Sequence, residues 1–391
     1  MKKQKICIIG GGLTGLVTAI ALSRLNVDID LVIGNTSKNI KNSNRTTAVS
    51  QSNYEFLDNL KITPFSKKLF WPCSHMKLYT KNENEKFKEI FAIDQNKKNK
   101  KIFYMMNNKI LMGSIKKNIK KKKVINLKNN EKISKIINSG SLKSIKFKNR
   151  KIYKYNLIIV CTGSNSNLSK IFSYSQSFGH SYGEVSVTTV LKHQSNLNNI
   201  ARQIFLDDEI LALLPISNTR TSIVWSVKKK IIDNFKNQKE PLIKSRIKNY
   251  TKDFIKKIKF ISNIEFKNTN LLIQKKYFND RVLLFGDALH EVHPLAGQGF
   301  NMMLRDLINL EKILDNKINL GLDIGSLESL AEFSNNMKPR NFAYSIGIDF
   351  IKNTFSFKNQ PFQNFRNKVI LSLNKNNFIK DLFFNIANKG I

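Results

Sequence analysis

Apolar and polar residues along this chain follow two rhythms. Lys5 to Ile9 is a short apolar run rich in β-branched residues, the pattern of a strand buried on both faces. Glycines follow at 10, 11, 12 and 15, and then Leu16, Ala19, Ile20 and Leu22 recur at helical spacing. Strand, tight turn and helix are predicted, with a second strand over Ile29 to Ile33. The same order returns late in the chain. Val282 to Phe285 is apolar, a glycine-rich stretch comes next, and Met303, Leu307, Leu310 and Leu314 mark a helix. From about 172 to 273 the rhythm is alternating, as in Ser222-Ile223-Val224-Trp225-Ser226-Val227, which predicts an antiparallel sheet. Beyond 342, Phe350, Phe355, Phe365, Ile370, Leu373, Phe378, Leu382, Phe383 and Ile386 recur at roughly helical spacing, with Lys352, Lys368, Lys375 and Lys380 between them. That pattern suits a helix packed on the core, or an amphipathic segment lying on a membrane or docking a partner.

The arrangement reads as an α/β fold: a Rossmann-like domain of parallel sheet and helices, an inserted antiparallel β-sheet domain, and a C-terminal helical segment. The first domain is expected in three pieces, 1–75, 102–171 and 275–353. Strands at 76–101 and 172–274 form the inserted sheet, and 354–391 is the helical end. No internal repeat is visible.

Composition narrows the function. A chain of 391 residues with 41% hydrophobic content can bury a sizeable core. The formal charge of +38 invites a nucleic-acid reading, but the lysines are spread over the whole chain among asparagine and isoleucine, without an aromatic interleave, so no nucleic-acid partner is expected. The dense run Ile115 to Val124 reads as a solvated face, with attraction to anionic lipid as the second reading. Lysines before an apolar stretch at the N-terminus imitate a signal peptide, but glycines interrupt it. No run of eighteen apolar residues occurs, so a cytoplasmic protein with at most peripheral contact on the inner face of a membrane is expected. Cys7, Cys73 and Cys161 form neither a zinc pattern nor a disulfide framework. His290, Glu291 and His293 lack a third well-spaced ligand, so no metal is expected.

Gly10, Gly12 and Gly15 stand as G-x-G-x-x-G with a strand before and a helix after. Gly10 permits the turn, Gly12 lets backbone approach a pyrophosphate, and Gly15 lets helix pack on strand. Leu13 and Thr14 open the helix, whose N-terminal N–H groups suit phosphate. A carboxylate is expected at the end of the second strand to bond a ribose. Ile33-Gly34-Asn35 stands there instead, and Asp30 lies inside the strand. In "FGDALHEVHPLAGQGFN", Phe285 to Asn301, Gly286-Asp287 ends a strand where ligands of open α/β sheets bind. Pro294 stiffens the loop, and Gly297, Gly299 and Asn301 bring backbone toward a ligand at the next helix N-terminus. Two nucleotide-type turns so far apart suggest one large cofactor touched at both ends, and FAD fits.

Arg281 to Leu310 resembles the Gly-Asp motif of the class A flavoprotein aromatic hydroxylases, and more narrowly the ubiquinone-biosynthesis hydroxylases. "NRTTAVS" at 44–50, "MNNKILMGSI", "YGEVSVTTVLKH" at 182–193 and "ILALLPISNTRTSIVWSV" at 210–227 are similar to further segments of that family in the same order, over about the whole chain. The resemblance implies that Gly286 and Asp287 contact the FAD ribityl chain, that His293, Pro294, Gly297, Gln298, Gly299 and Asn301 line the flavin, and that Arg45 reaches the cofactor. Of these, His293, Pro294 and Gln298 are the implied catalytic positions. It also implies electrons from NAD(P)H, a flavin C4a-hydroperoxide formed with O2, and hydroxylation of a polyprenylated phenol, within a ubiquinone-biosynthesis complex. The chain departs from the family at its Asp-Gly motif. Thr162-Gly163 stands there, with Asn165 at the arginine position, so two acidic cofactor contacts are replaced. A flavin-fold protein that oxidises without hydroxylating, or serves as a scaffold, is the alternative.

Other positions carry plainer readings. His290 is a structural hydrogen-bonder. Arg305-Asp306 is a local ion pair or part of a cofactor-domain network, the structural reading being favoured. Trp225 and Pro215 belong to core or pocket wall, and Tyr182 to the substrate cavity or to strand packing.

Overall fold

The computed structural model describes residues 3–34, 45–62, 70–81, 86–94, 101–164, 177–357 and 359–389. The chain begins with β1 (Gln4–Ile9), α1 (Leu13–Leu22) and β2 (Val27–Ile33), and β3 (Thr46–Ser50) runs into α2 (Gln51–Asn59). β4 (Phe70–Cys73), β5 (His75–Lys81), β6 (Phe87–Asp94) and β7 (Phe103–Asn107) lead to α3 (Asn108–Ile119). Five strands follow: β8 (Ile125–Asn129), β9 (Ile133–Ser139), β10 (Leu142–Phe147), β11 (Ile152–Tyr155) and β12 (Leu157–Val160). Then come β13 (Ser177–Lys192), β14 (Ile200–Phe205), β15 (Ile210–Ser217) and β16 (Arg220–Lys228), followed by α4 (Lys229–Asn234) and α5 (Lys239–Thr251). β17 (Lys259–Phe260), β18 (Glu265–Gln274), β19 (Phe278–Asn279), β20 (Val282–Leu284) and β21 (His290–Glu291) precede four helices, α6 (Gln298–Asn319), α7 (Leu327–Ser356), α8 (Gln360–Asn374) and α9 (Asn377–Lys389).

Six strands in the order β19-β20-β12-β1-β2-β8 form the first sheet, all parallel except the β19–β20 pair. Its central strands read as continuous apolar runs because helices cover both faces. Ile6, Ile8, Leu31, Ile158 and Leu283 are fully buried in one core with Leu16, Ile20, Leu304 and Leu307 from α1 and α6. Asp30 sits in this sheet as a buried carboxylate. It accepts from Tyr155 Oη at 2.7 Å and pairs with Lys5 Nζ at 3.0 Å, so its charge is spent inside the domain.

The larger sheet has nine strands, β21-β18-β13-β16-β15-β14-β5-β6 with β17 paired to β13. It is antiparallel except where β5 joins β14 in parallel. This one exception follows from β5 and β6 entering from early in the chain, beside a strand met a hundred residues later. Trp225 is fully buried here and donates from Nε1 to Glu209 Oε2 at 2.9 Å. A three-stranded sheet β3-β7-β4 lies between the two large ones, and β9, β10 and β11 form another. The boundaries expected at 75 and 353 fall inside β5 and α7, because neither strand nor helix is interrupted by a turn residue there. In α3, Ile115 and Ile119 are buried while Lys117 is exposed, as are Lys120 to Lys123 in the turn that follows, so the lysine run is a solvated face.

Candidate functional site

Parallel pairing puts the carboxyl ends of β1, β12 and β20 side by side. Each ends in a glycine turn: Gly10 after Ile9, Thr162-Gly163 after Cys161, Gly286 after Phe285. The turns pack by close backbone approach. A Cβ at Gly10 would lie 2.5 Å from the Cys161 carbonyl oxygen, and one at Gly15 would lie 2.1 Å from that of Gly10. Gly286, with φ +63°, would place a Cβ 2.6 Å from Thr14 Cγ2, so the first and last turns touch. Gly12 and Gly163 differ, because nothing lies within 4 Å of where their Cβ would stand. These are the two open points of the cradle. α1 begins at Gly12 and Leu13 with no side-chain cap and no acid in its first turn, so its N–H groups are free for an anion. The cradle therefore fits the pyrophosphate of a dinucleotide. Asn35 and Asn165, where acid and arginine were missed in the sequence, lie outside the described residues.

The stretch from Phe285 to Asn301 is more than a strand-to-helix turn. A 3-10 turn at Gly286–Ala288 carries it from the parallel sheet, and β21 then pairs with β18 of the large sheet through Leu272–Glu291 and Ile273–His290. One short segment thus ties the two sheets together. Asp287 is half-exposed, 3.5 Å from Lys267 Nζ. Lys267 also reaches buried Glu291 at 3.1 Å, and Glu291 accepts from Ser164 Oγ at 2.8 Å, which fastens the Thr162–Ser164 turn to this segment. Arg45 opens β3, and its Nε lies 3.5 Å from Glu265.

Gly297 has φ +67° and a Cβ there would lie 3.1 Å from Ala48 N, so the turn before α6 presses against β3. Gly299 has only the Val292 side chain nearby. Asn301 is fully buried: Nδ2 donates to the Ala48 carbonyl at 2.8 Å, and Oδ1 accepts from Ser50 N at 3.0 Å and Asn53 Nδ2 at 2.9 Å. Gln298 Oε1 accepts from Tyr344 Oη at 2.6 Å. These hydrogen bonds clamp the turn against β3, α2 and α7. Pro294 precedes the turn and is half-buried.

The two histidines divide. His290 pairs with Asp306 at 2.6 Å, both side chains being buried, and Asp306 also accepts from Asn341 Nδ2 at 2.9 Å. The Arg305–Asp306 pair expected from the sequence does not form, since consecutive residues on a helix face different ways. Arg305 lies over the Tyr344 ring instead, at 4.2 Å. His293 Nε2 lies 3.2 Å from Glu184 Oε2, with both side chains buried. Glu184 Oε1 meets Lys352 Nζ at 3.0 Å and Lys228 Nζ at 3.1 Å. Burial opposes ionisation of Glu184, but the bonds from His293 and Lys352 outweigh it and hold its carboxyl down at about 2. Burial pushes the His293 imidazole below its ordinary value, which favours its neutral form. With Nε2–H donating to Glu184, its Nδ1 is left as a buried acceptor without a protein partner. Tyr182 meets the His293 ring edge-on and donates to Asp349 Oδ1 at 2.8 Å.

Glu184, Lys352, Lys267, Glu291 and Tyr344 were missed as site residues in the sequence. Glu184 and His293 are 109 positions apart, and no spacing links them. The visible trace was a lone acid inside an otherwise apolar and hydroxyl strand. An apolar wall stands beside Ala48, made by Phe103, Met105, Ala201, Ala212 and Leu214, against which Phe384 of α9 packs. α9 is fastened there by Asn388, whose carbonyl accepts from Ser50 Oγ and Ser52 Oγ. Among the described residues no three His, Cys, Asp or Glu side chains group as metal ligands, and no helix is long and apolar enough to cross a membrane.

Residues 1–200 match the family described as pyridine nucleotide-disulphide oxidoreductase, and residues 153–321 match the one described as FAD binding domain. The redox disulfide of the first description has no counterpart, since Cys7, Cys73 and Cys161 are all free and buried. "Ubiquinone biosynthesis monooxygenase COQ6, mitochondrial" of Dictyostelium discoideum is 24% identical, over 98% of this chain and 90% of that protein. "Ubiquinone hydroxylase UbiL" of Rhodospirillum rubrum is 22% identical, over 91% and 82%. Among solved structures, p-nitrophenol 4-monooxygenase PnpA from Pseudomonas putida aligns with TM-score 0.78 at 16% identity, over 99% of this chain and 98% of that one. Klebsiella pneumoniae HpxO, complexed with FAD and uric acid, aligns with TM-score 0.74 at 12% identity, over 99% and 97%. At these identities the structures speak for the fold.

Proposed function

The chain belongs to the FAD-dependent pyridine nucleotide oxidoreductases, and within them to the class A flavoprotein hydroxylases of the ubiquinone-biosynthesis group; from that premise we propose that it hydroxylates the aromatic ring of a polyprenylated phenol. The net reaction consumes the phenol, O2, NAD(P)H and a proton, and yields the hydroxylated phenol, NAD(P)+ and water. The observation that carries the reading is the convergence of three glycine turns at the carboxyl ends of the parallel strands, with a fourth at Gly297 against β3, beside an apolar wall closed by the chain's own C-terminal helix.

FAD, when bound, supplies the redox chemistry and the activation of oxygen. Gly10, Gly12, Leu13, Thr14, Gly15, Thr162 and Gly163 would hold its pyrophosphate side. Gly286, Asp287, Gly297, Gly299 and the backbone fixed by Asn301 would hold the ribityl and ring side, with Arg45 at the flank. The N-terminus of α6 directs its dipole toward the ring position, where it stabilises negative charge. Pro294 and Gln298 shape that turn. His293 Nδ1 is the acceptor for the phenolic proton, which makes the ring more electron-rich, and the hollow beside Ala48, Ala201 and Ala212 holds only about 10 Å3, so the wall must part to admit the ring.

The test begins with the visible absorption spectrum of the purified protein, before and after adding FAD. Flavin bands that stay with the protein through gel filtration are expected, followed by hydroxylation of a prenylated phenol under NAD(P)H and O2. His293→Ala is expected to keep the bands and lose most of the product. A protein that refuses added FAD overturns the reading and leaves a scaffold, the alternative favoured by Thr162 standing where the family has an acid. Full flavin with NADH oxidation but no ring product leaves a non-hydroxylating oxidoreductase.

The substrate class brings the bilayer into the picture. Phe350, Phe365 and Phe378 are 69%, 65% and 76% exposed on α7, α8 and α9, with Lys368 and Lys375 exposed beside them. These helices form the face turned to an anionic membrane, combining apolar insertion with charge. Flotation with anionic liposomes is expected to carry the protein up, and replacing the three phenylalanines by serine should cut the floated fraction at least fivefold. Equal flotation of both proteins would rule this face out.

A further inference from the structure

A cavity of about 410 Å3 opens between α2, α6 and α7, beyond the turn just described. Arg305 and Lys312 enter it from α6 and Arg340 from α7. Among the described residues no acid lines it, and none of the three cations has an acidic partner. Arg305 lies over the Tyr344 ring, yet its Nη1 is buried with no hydrogen-bond partner. Two more lining atoms, Asn53 Oδ1 and Asn309 Oδ1, are also buried without partners. Buried charged donors are ordinarily satisfied, because leaving one bare forfeits its hydration with nothing in return. Three like charges turned into one hollow repel each other as well.

The lysine-rich composition does not account for the cluster. Only ten of the 66 basic residues in the chain are arginine, yet two of the three cations here are. Lysine serves wherever a solvated positive charge suffices. Arginine offers a planar fork of donors that matches the oxygens of phosphate or carboxylate.

We infer that this cavity is an oxyanion site, built for a phosphate carried by a small hydroxyl-bearing molecule. Arg305 and Arg340 grip the phosphate oxygens from two helices, and Lys312 adds charge. Hydroxyl groups of the ligand donate to Asn53 Oδ1 and Asn309 Oδ1, which a bare anion without donors would leave unpaired. The volume exceeds that of a single phosphate and falls in the range of small-molecule pockets. The site is also wired to the flavin turn. Tyr344, under Arg305, donates to Gln298, and Asn53 bonds Asn301. The inference stands on these contacts and not on the hydroxylase reading, and its test reads binding rather than turnover.

Titration calorimetry of the purified full-length protein with inorganic phosphate, at fixed ionic strength, decides it. Saturable binding at about one site is expected, weakened at least tenfold in Arg305→Gln and in Arg340→Gln. Two variants on different helices guard against a local folding defect in either. Lys120→Gln/Lys121→Gln, on the solvated face after α3, should bind as the parent does. Non-saturable binding, or the same loss in the Lys120/Lys121 control as in the arginine variants, would mean attraction to a highly basic surface and would overturn the site. Competition then identifies the source. Displacement of phosphate by NADPH but not NADH assigns the 2′-phosphate, displacement by both assigns the pyrophosphate, and displacement by neither assigns another phosphorylated metabolite. Each of these upholds the site.

Discussion

Replacing Gly15 by alanine is expected to strip the protein of flavin and destabilise it, while the same replacement at Gly113 stabilises it. A Cβ at Gly15 would lie 2.1 Å from the Gly10 carbonyl oxygen and 3.1 Å from its carbon. Both are backbone atoms of the turn that forms the cradle, so no side chain can swing aside. The turn itself must move, and Gly10 is already pressed against Cys161 on its other side. Overpacking of this kind costs about 3 kcal/mol, and the displaced turn no longer presents the α1 N-terminus to a pyrophosphate. Gly113 lies inside α3 with nothing within 4 Å of the added methyl. There alanine gains about 0.5–1 kcal/mol through the reduced freedom of the unfolded chain. Urea midpoints and the flavin absorbance of both variants check the pair. Changes of the same sign at the two positions would sink the close-approach argument.

The second large effect is at Glu184. Glu184→Gln leaves Lys352, whose side chain is only 5% exposed, without its carboxylate. An uncompensated buried charge costs about 3–5 kcal/mol. Adding Lys352→Met should recover most of that loss, because the two substitutions remove the pair together. A double variant no more stable than Glu184→Gln alone would show that the pair is not coupled. The acid dependence follows from the same contacts. The Glu184 carboxyl is held at about 2 in the fold, below its ordinary value of 4.5. Its contribution is therefore full above 4.5 and is lost as the pH falls from there toward 2. His293 is also depressed, so the unfolded chain takes up a proton before the folded one, and stability declines as pH drops below the usual histidine value of 6.5. Melting curves across pH should show both declines in the parent. Glu184→Gln should keep the upper one and weaken the lower, to which Asp323, held down by Arg281, still contributes.

The C-terminal segment packs on the core, as one of its two readings expected, and it also leaves aromatic side chains exposed. Phe355 is buried and stacks on Phe205 at 3.7 Å, while Phe350 and Phe378 face out. Helical spacing predicts a stripe, but a stripe wide enough to pack and to remain exposed cannot be divided without knowing what α7 and α9 lean on. Arg305 and Asp306 are the opposite case. Adjacency suggested a pair, whereas the fold gave Asp306 to His290 and Arg305 to Tyr344.

By itself the sequence determined the parallel sheet, the glycine turns and the cofactor they suit. Those features are local: a run of β-branched residues makes a buried strand, and positive φ or a backbone contact admits only glycine. Tertiary structure alone decided that Glu184, His293 and Lys352 form one charge group, that Asn301 spends its side chain on β3 and α2, and that three cations share a cavity. The physical reason is that such groups are defined by distance in space. Hydrogen bonds and Coulomb attraction act over a few ångströms, and the fold brings together side chains that more than a hundred positions of sequence keep apart.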